Sequence, residues 1–202
     1  VLDLLPDIEL RGPSASLNVG HLMAHTGGIG EAPTMANLLD AWTLLFRDEP
    51  DTAPIAHAYA DGIVVEMPPG AKWAYANHGY GLLGEIVSRA EERPIQEVLQ
   101  RRVFGPLGMA DTDCDDRPHT DLTTGYHYPL GYDALDVMEL LGQYPPDEES
   151  VDGHNVRGRF QYVHPRAAGA VQSTIGDMCK YATALLRKGA GIVRPSTFDR
   201  MV

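Results

Sequence analysis

Tyr75 and Asn77 are the two side chains whose types and spacing best suit chemistry on a bound molecule. Residues two positions apart in an extended or tightly turned backbone point the same way, so a phenol and a carboxamide can converge on one pocket. The small neighbours Ala74 and Ala76 leave room for a ligand, and a helix predicted from Gly79 would hold the turn rigidly. Packing and helix capping are the alternative roles for such a pair. The pair is therefore a candidate site that needs support from other parts of the chain.

His21 and His25 form a second candidate, because histidines four positions apart lie on the same face of a helix. A zincin motif would have a glutamate as general base where Leu22 stands, and no third ligand follows at a suitable spacing. We therefore predict structural histidines, no metal and no cofactor, with a metal-dependent hydrolase as the weaker alternative. The glycines in residues 25–30 lack the preceding strand of a phosphate cradle, so they predict a helix end and a turn.

The Tyr-x-Asn motif at Tyr75 and Asn77 belongs to a longer pattern of segments. It lies within PPGAKWAYANHGYGLLGEIVSR; upstream are VLDLLPDIEL and VGHLMAHTGGIG, and downstream are VFGPLGMADT and RAAGAVQSTIGDMCKYATALL. In content and in order, these segments resemble the serine β-lactamase-like family, which includes class C β-lactamases, D-alanyl-D-alanine carboxypeptidases and related esterases. They cover most of the chain outside residues 112–165.

The resemblance implies a serine hydrolase that works by acyl transfer. In such an enzyme a serine attacks the carbonyl of a β-lactam, a D-amino-acid peptide or a short ester. Tyr75 would be the catalytic residue that shuttles the proton together with a lysine, and Asn77 would bind the substrate amide or carbonyl. A phenol becomes a useful base only beside cations, because positive charge favours its ionised form.

Two motifs of that family are not found in the sequence. No serine is followed by lysine three positions later, the lysines being Lys72, Lys180 and Lys188, and no Lys-Thr-Gly or equivalent follows the last predicted helix. The His-x-Gly at residues 25–27 lies where the family has a His-Thr-Ser-Gly segment, so it does not count as one. We expect the chain to be the middle of a longer protein and to be inactive by itself. A binding or scaffold module derived from the family is the alternative.

The predicted fold is mainly α with minor β. The resemblance implies the helical region of the α+β β-lactamase/transpeptidase-like fold, whose sheet is formed by chain ends that are largely absent. We expect a single domain over residues 1–202, with a long irregular excursion at residues 112–165. Apolar spacing, prolines and caps predict helices at residues 35–46, at 79–90, at 94–103, from 174 and from 195.

Two of these helices carry more detailed predictions. The helix at residues 79–90 should turn its apolar residues inward, namely Tyr80, Leu83, Ile86, Val87 and Ala90. Thr174 and Asp177 have the spacing of a capping box, which predicts the start of the fourth helix. Short strands are expected at residues 62–66 and 160–163.

The composition limits the possible partners. Sixteen Lys and Arg against 28 Asp and Glu give a net charge of −12, which repels phosphate backbones, so no nucleic acid is expected. No apolar run is long enough to cross a bilayer, and Cys114 and Cys179 show no metal or disulfide pattern. The expected partner is a small-molecule or peptide substrate of the intact protein. Uncovered apolar helix faces would favour self-association, and the sequence leaves the localisation open.

Overall fold

The computed structural model describes residues 1–29, 62–115, 121–123 and 166–201, together with Tyr59 and the backbone of the two-residue strands at 46–47, 126–127, 156–157 and 162–163. Its α-helices are α1 (Val19–Met23), α2 (Asn77–Glu91), α3 (Ile95–Leu99), α4 (Ile175–Leu186) and α5 (Pro195–Phe198). Its strands are β1 (Leu10–Arg11), β2 (Phe46–Arg47), β3 (Ile63–Val64), β4 (Tyr126–His127), β5 (Val156–Arg157) and β6 (Tyr162–Val163). The strands pair as β1–β3, which is parallel, and as β2–β6 and β4–β5, which are antiparallel. The described part of the chain is therefore rich in helix and contains little sheet.

Local signals place the helix ends. The hydroxyl of Thr174 accepts the backbone N–H of Asp177 at 3.2 Å, as the capping spacing predicted, and α5 begins at Pro195. Pro94 precedes α3, and α2 begins at Asn77, two residues before the predicted start. Both predicted strands are present, shortened to β3 and β6. The helix predicted at residues 35–46 lies almost entirely outside the described residues.

The buried face of α2 differs from the predicted one. Leu83 and Ile86 pack against the core as expected, but Val87 is 37% exposed. The buried residues of this helix are His78, Gly79, Gly81, Leu82 and Gly84. Glycines allow close approach of another segment, since a Cβ on Gly84 would lie 2.6 Å from the Cβ of Ala167. The prediction was wrong because it counted large apolar side chains, whereas glycines form much of the packed face.

The main core of the described residues lies between the N-terminal segment, α1, β3 and α2. Its buried members are Leu5, Ile8, Leu17, Leu22, Ile29, Tyr59, Ile63, Val65 and Leu82. Leu22 of α1 reaches the first turn of α2, where its Cδ2 atom would lie 3.8 Å from a Cβ on Gly79. This packing fixes the start of α2, and with it the position of Asn77.

A polar cluster joins α4 to the segment after α3. We call it the Asp177 cluster, and it consists of Gly108, Thr112, Ser173, Asp177 and Lys180. One carboxylate oxygen of Asp177 accepts the Asp111 N–H and the Thr112 hydroxyl, both at 2.8 Å. The other accepts from Lys180 at 2.6 Å, and Lys180 also donates to the Gly108 carbonyl at 2.6 Å. The hydrogen bond from Lys180 holds the pKa of Asp177 below its ordinary value.

The segment between α3 and this cluster begins with a π-helical turn at Gln100–Phe104. The Gly105 N–H donates to the Gln100 carbonyl at 2.8 Å, five residues back, and Phe104 is buried. The helix thus stops before Gly105 and Pro106, as the sequence predicted.

Most of the predicted excursion at residues 112–165 lies outside the described residues. Its start lies beside the chain that follows it, because Asp113 and Gln172 exchange backbone hydrogen bonds of 3.1 and 2.9 Å. Cys114 is buried, Cys179 is exposed, and neither forms a disulfide. In the described part of the chain, no helix has the length and apolar character needed to span a membrane.

Candidate active site

The structure brings Tyr75 and Asn77 into contact at the protein surface. The Tyr75 hydroxyl donates to the Asn77 Oδ1 atom at 3.0 Å, and Tyr75 is 49% exposed. Ala76 between them is extended (φ −150°, ψ 107°) and precedes α2, so the two flanking side chains can meet. Because the phenol donates this hydrogen bond, it carries its proton in the observed arrangement.

His25 contacts the segment around Tyr75 through both its main chain and its side chain. Its carbonyl accepts the Ala74 N–H at 2.8 Å, and its Nδ1 atom accepts the Ala76 N–H at 3.2 Å. Its ring lies 4.6 Å from the Tyr75 ring between centroids, tilted by 35°. The sequence analysis did not assign this role to His25, because the contact to Ala76 joins residues 51 positions apart.

The turn after α1 presents His25 to this segment. The backbone of His25 is left-handed (φ 54°), which ends α1 as the glycine-rich sequence predicted. The Gly70 N–H donates to the Thr26 carbonyl at 2.7 Å. Gly28 has φ +74°, and a Cβ there would lie 2.1 Å from the Met67 carbonyl oxygen, so only glycine allows this approach. Residues 25–28 are thereby held along residues 66–76.

Two further aromatic residues surround His25. The Tyr80 ring lies 5.0 Å from the His25 ring between centroids, and the Tyr80 hydroxyl donates to the Met23 carbonyl at 3.2 Å. The Trp73 ring meets the His25 ring edge-on at 6.1 Å, and Trp73 is 62% exposed. An exposed aromatic surface therefore adjoins the phenol of Tyr75.

A buried hydrogen bond supports the first turn of α2 from below. The Tyr59 hydroxyl and the Nδ1 atom of His78 lie 2.8 Å apart, and both side chains are buried. Burial raises the pKa of Tyr59, so its phenol stays protonated and donates to the imidazole. Because the pair is shielded from solvent, its role is to hold the helix rather than to meet a substrate.

The described lysines do not supply a cation to Tyr75 through any of their observed ion pairs. Lys180 is held in the Asp177 cluster, and Lys188 donates to Asp199 at 3.0 Å. Lys72 lies on the exposed segment before Tyr75. The positive charge that would activate a phenol is therefore not part of the observed contacts of Tyr75.

The described residues also contain no group of three or more His, Cys, Asp or Glu side chains that could hold a metal ion. The Nδ1 atom of His25 already accepts the Ala76 N–H. The Nδ1 atom of His21 is buried and has no hydrogen-bond partner. The ligand set of a catalytic zinc is thus missing from this part of the chain.

A family model described as Beta-lactamase matches residues 1–200. A D-aminopeptidase from Cereibacter sphaeroides is 29% identical over 150 residues, which are 73% of this chain and 26% of the relative. A putative D-alanyl-D-alanine carboxypeptidase from Escherichia coli is 27% identical over 107 residues, which are 53% of this chain and 24% of the relative. The chain spans between 24% and 44% of the length of these and other curated relatives.

The structure is also similar to that of D-amino acid amidase from Ochrobactrum anthropi SV3. The TM-score is 0.67 at 23% identity, and the match covers 98% of this chain and 51% of the amidase chain. This likeness shows the β-lactamase/transpeptidase-like fold. Together with the family match over residues 1–200, it means that the chain belongs to the serine β-lactamase-like family of hydrolases.

Proposed function

We propose that this chain is the central part of a serine hydrolase that transfers an acyl group from an amide or ester to its own serine and then to water. The observation that carries the proposal is the contact between the Tyr75 hydroxyl and Asn77 on an exposed surface. In this proposal Tyr75 moves the proton and Asn77 binds the substrate amide or carbonyl. Substrates are β-lactams, D-amino-acid peptides or short esters, and the names of the relatives favour D-amino-acid peptides and amides.

The resting hydrogen bond between Tyr75 and Asn77 suggests the first step of this reaction. Asn77 must release the phenol to bind a substrate carbonyl or amide, and the released phenol can then face the serine. Ionising the phenol requires nearby positive charge, which Lys180 and Lys188 direct to Asp177 and Asp199 instead. The serine, its lysine and the oxyanion donors therefore come from polypeptide beyond this chain, and the 202-residue chain alone has no hydrolytic activity.

The proposed architecture follows from the same reading. Residues 1–202 form one domain of the helical region, with residues 112–165 as an irregular excursion and the main sheet formed by the rest of the protein. The exposed apolar residues of α4 support this, because Ile175 and Leu186 are each 87% exposed. That surface meets either the remaining polypeptide or a second copy of the chain.

The test compares the 202-residue chain with the longer polypeptide that carries it, using nitrocefin, p-nitrophenyl acetate and D-alanine p-nitroanilide. The chain should be inactive, and the longer polypeptide should hydrolyse at least one of these compounds. Tyr75→Phe should lower kcat by roughly 100-fold or more, which is typical for loss of a proton-transfer group. Tyr181→Phe, on α4, is the matched control and should leave the rate unchanged.

Two results would contradict the proposal. Hydrolysis by the 202-residue chain that Tyr75→Phe abolishes would refute its inactivity, and full activity of the longer Tyr75→Phe variant would remove Tyr75 from the mechanism. An inactive longer polypeptide that lacks a Ser-x-x-Lys motif would instead indicate a binding or scaffold module.

A further inference from the structure

We infer that His25 is a positioning residue that fixes the direction of the Tyr75 phenol by holding the backbone on both sides of it. The two contacts that carry this inference are those from Ala74 to the His25 carbonyl and from Ala76 to its Nδ1 atom. The importance of this positioning for a reaction rests on the function proposed above for Tyr75.

The two hydrogen bonds form a bracket around a single residue. In an extended segment, the N–H groups of residues two apart point to the same edge, and here both point to His25. A neighbouring strand would accept them with two carbonyls, but His25 accepts one with its carbonyl and the other with its ring. Tyr75 therefore has little freedom to rotate its backbone while both contacts persist.

The second acceptor matters because Ala76 is buried. An N–H group shielded from water needs a partner within the protein, and α2 offers none at this position, since Ala76 precedes its first residue. Nδ1 can accept only when it carries no proton, so the neutral ring carries its proton on Nε2. The ring contacts to Tyr75 and Tyr80, at 4.6 and 5.0 Å, keep Nδ1 directed at Ala76.

The left-handed backbone of His25 suggests a matched pair of variants. Asparagine tolerates φ 54° and can place its Oδ1 atom near the position of Nδ1, so His25→Asn keeps the acceptor and loses the ring. His25→Phe keeps an aromatic ring and loses the acceptor. The pair separates the hydrogen bond from the ring contact.

The first experiment uses the 202-residue chain and does not depend on activity. Amide hydrogen exchange is measured by NMR for Ala76, with the Leu82 amide of α2 as the control for an intact fold. His25→Phe should speed exchange at Ala76 at least tenfold relative to Leu82, and His25→Asn should not. A two-bond proton–nitrogen spectrum of His25 should place the ring proton on Nε2. Equal exchange at Ala76 in the wild type and in His25→Phe, or a protonated Nδ1 in the wild type, would overturn the inference.

The second experiment measures kinetics in the longer polypeptide. His25→Phe should lower kcat about tenfold with KM changed less than twofold, and His25→Asn should recover most of the lost kcat. An equal loss of kcat in both variants would refute the role of the acceptor. If the wild-type polypeptide hydrolyses nothing, the proposed function fails, whereas exchange at Ala76 still decides whether His25 holds this backbone.

Discussion

Two regions of the described chain are stabilised by different kinds of contact. The N-terminal body, which we define as residues 1–29 and 62–99, encloses the apolar core around Leu22 and Leu82. The region of α4 is instead held to the rest by the Asp177 cluster, while Ile175 and Leu186 stay exposed. Both helices have apolar residues at helical spacing, but only α2 buries its large apolar residues in the described core. Apolar periodicity therefore predicts a helix better than it predicts what that helix contacts.

The sharpest test of this difference exchanges one leucine in each region for alanine. Leu82→Ala should lower the free energy of unfolding by about 2–5 kcal/mol, because Leu82 is fully buried. Leu186→Ala should change it by less than about 0.5 kcal/mol, since an exposed side chain loses few contacts. Urea titrations followed by circular dichroism measure both values. A loss of several kcal/mol in Leu186→Ala would show that other parts of the protein cover α4, and the contrast between the regions would disappear.

A smaller effect is expected where the two regions meet at Gly84. In Gly84→Ala the new Cβ would lie 2.6 Å from the Cβ of Ala167, which has no rotatable side chain and cannot move aside. The overpacking should outweigh the gain of about 1 kcal/mol from higher helix propensity and give a net loss of up to about 2 kcal/mol. Gly176→Ala in α4 is the matched control, because its nearest neighbour, the Thr174 hydroxyl oxygen, would be 3.8 Å away. Thermal unfolding should show a lower Tm for Gly84→Ala and an equal or higher Tm for the control; the reverse order would refute the close contact.

The smallest effect is a pH dependence that originates in the Asp177 cluster. Because the folded pKa of Asp177 is lowered, its stabilising contribution is present above the unfolded value of 3.8 and is lost as the pH falls through the folded pKa. The Tm difference between the wild type and Asp177→Asn should therefore be largest at neutral pH and should shrink below pH 3.8. Asp199→Asn, which removes an exposed ion pair with Lys188, should have little effect at any pH. A Tm difference for Asp177→Asn that stays constant down to pH 2 would show that the charge of Asp177 contributes nothing.

Local signals made much of this structure predictable from the sequence. Thr174 caps α4 through a contact only three residues long, and the spacing of two between Tyr75 and Asn77 was enough to predict that their side chains converge. The role of His25 was not predictable, because its contact to Ala76 depends on how distant segments pack. The parallel pairing of β1 with β3 was not foreseen for the same reason, since two-residue strands carry almost no pattern.

The π-helical turn at Gln100–Phe104 has a consequence for insertions and deletions in this part of the chain. An α-helix advances by about 100° per residue, so removing one residue and restoring an α-helical turn would rotate all that follows by that angle. The Gly108 carbonyl would then no longer face Lys180, and the Asp111 amide would leave the carboxylate of Asp177. The extra residue thus sets the angular phase at which the chain leaves α3, and the docking of α4 depends on it.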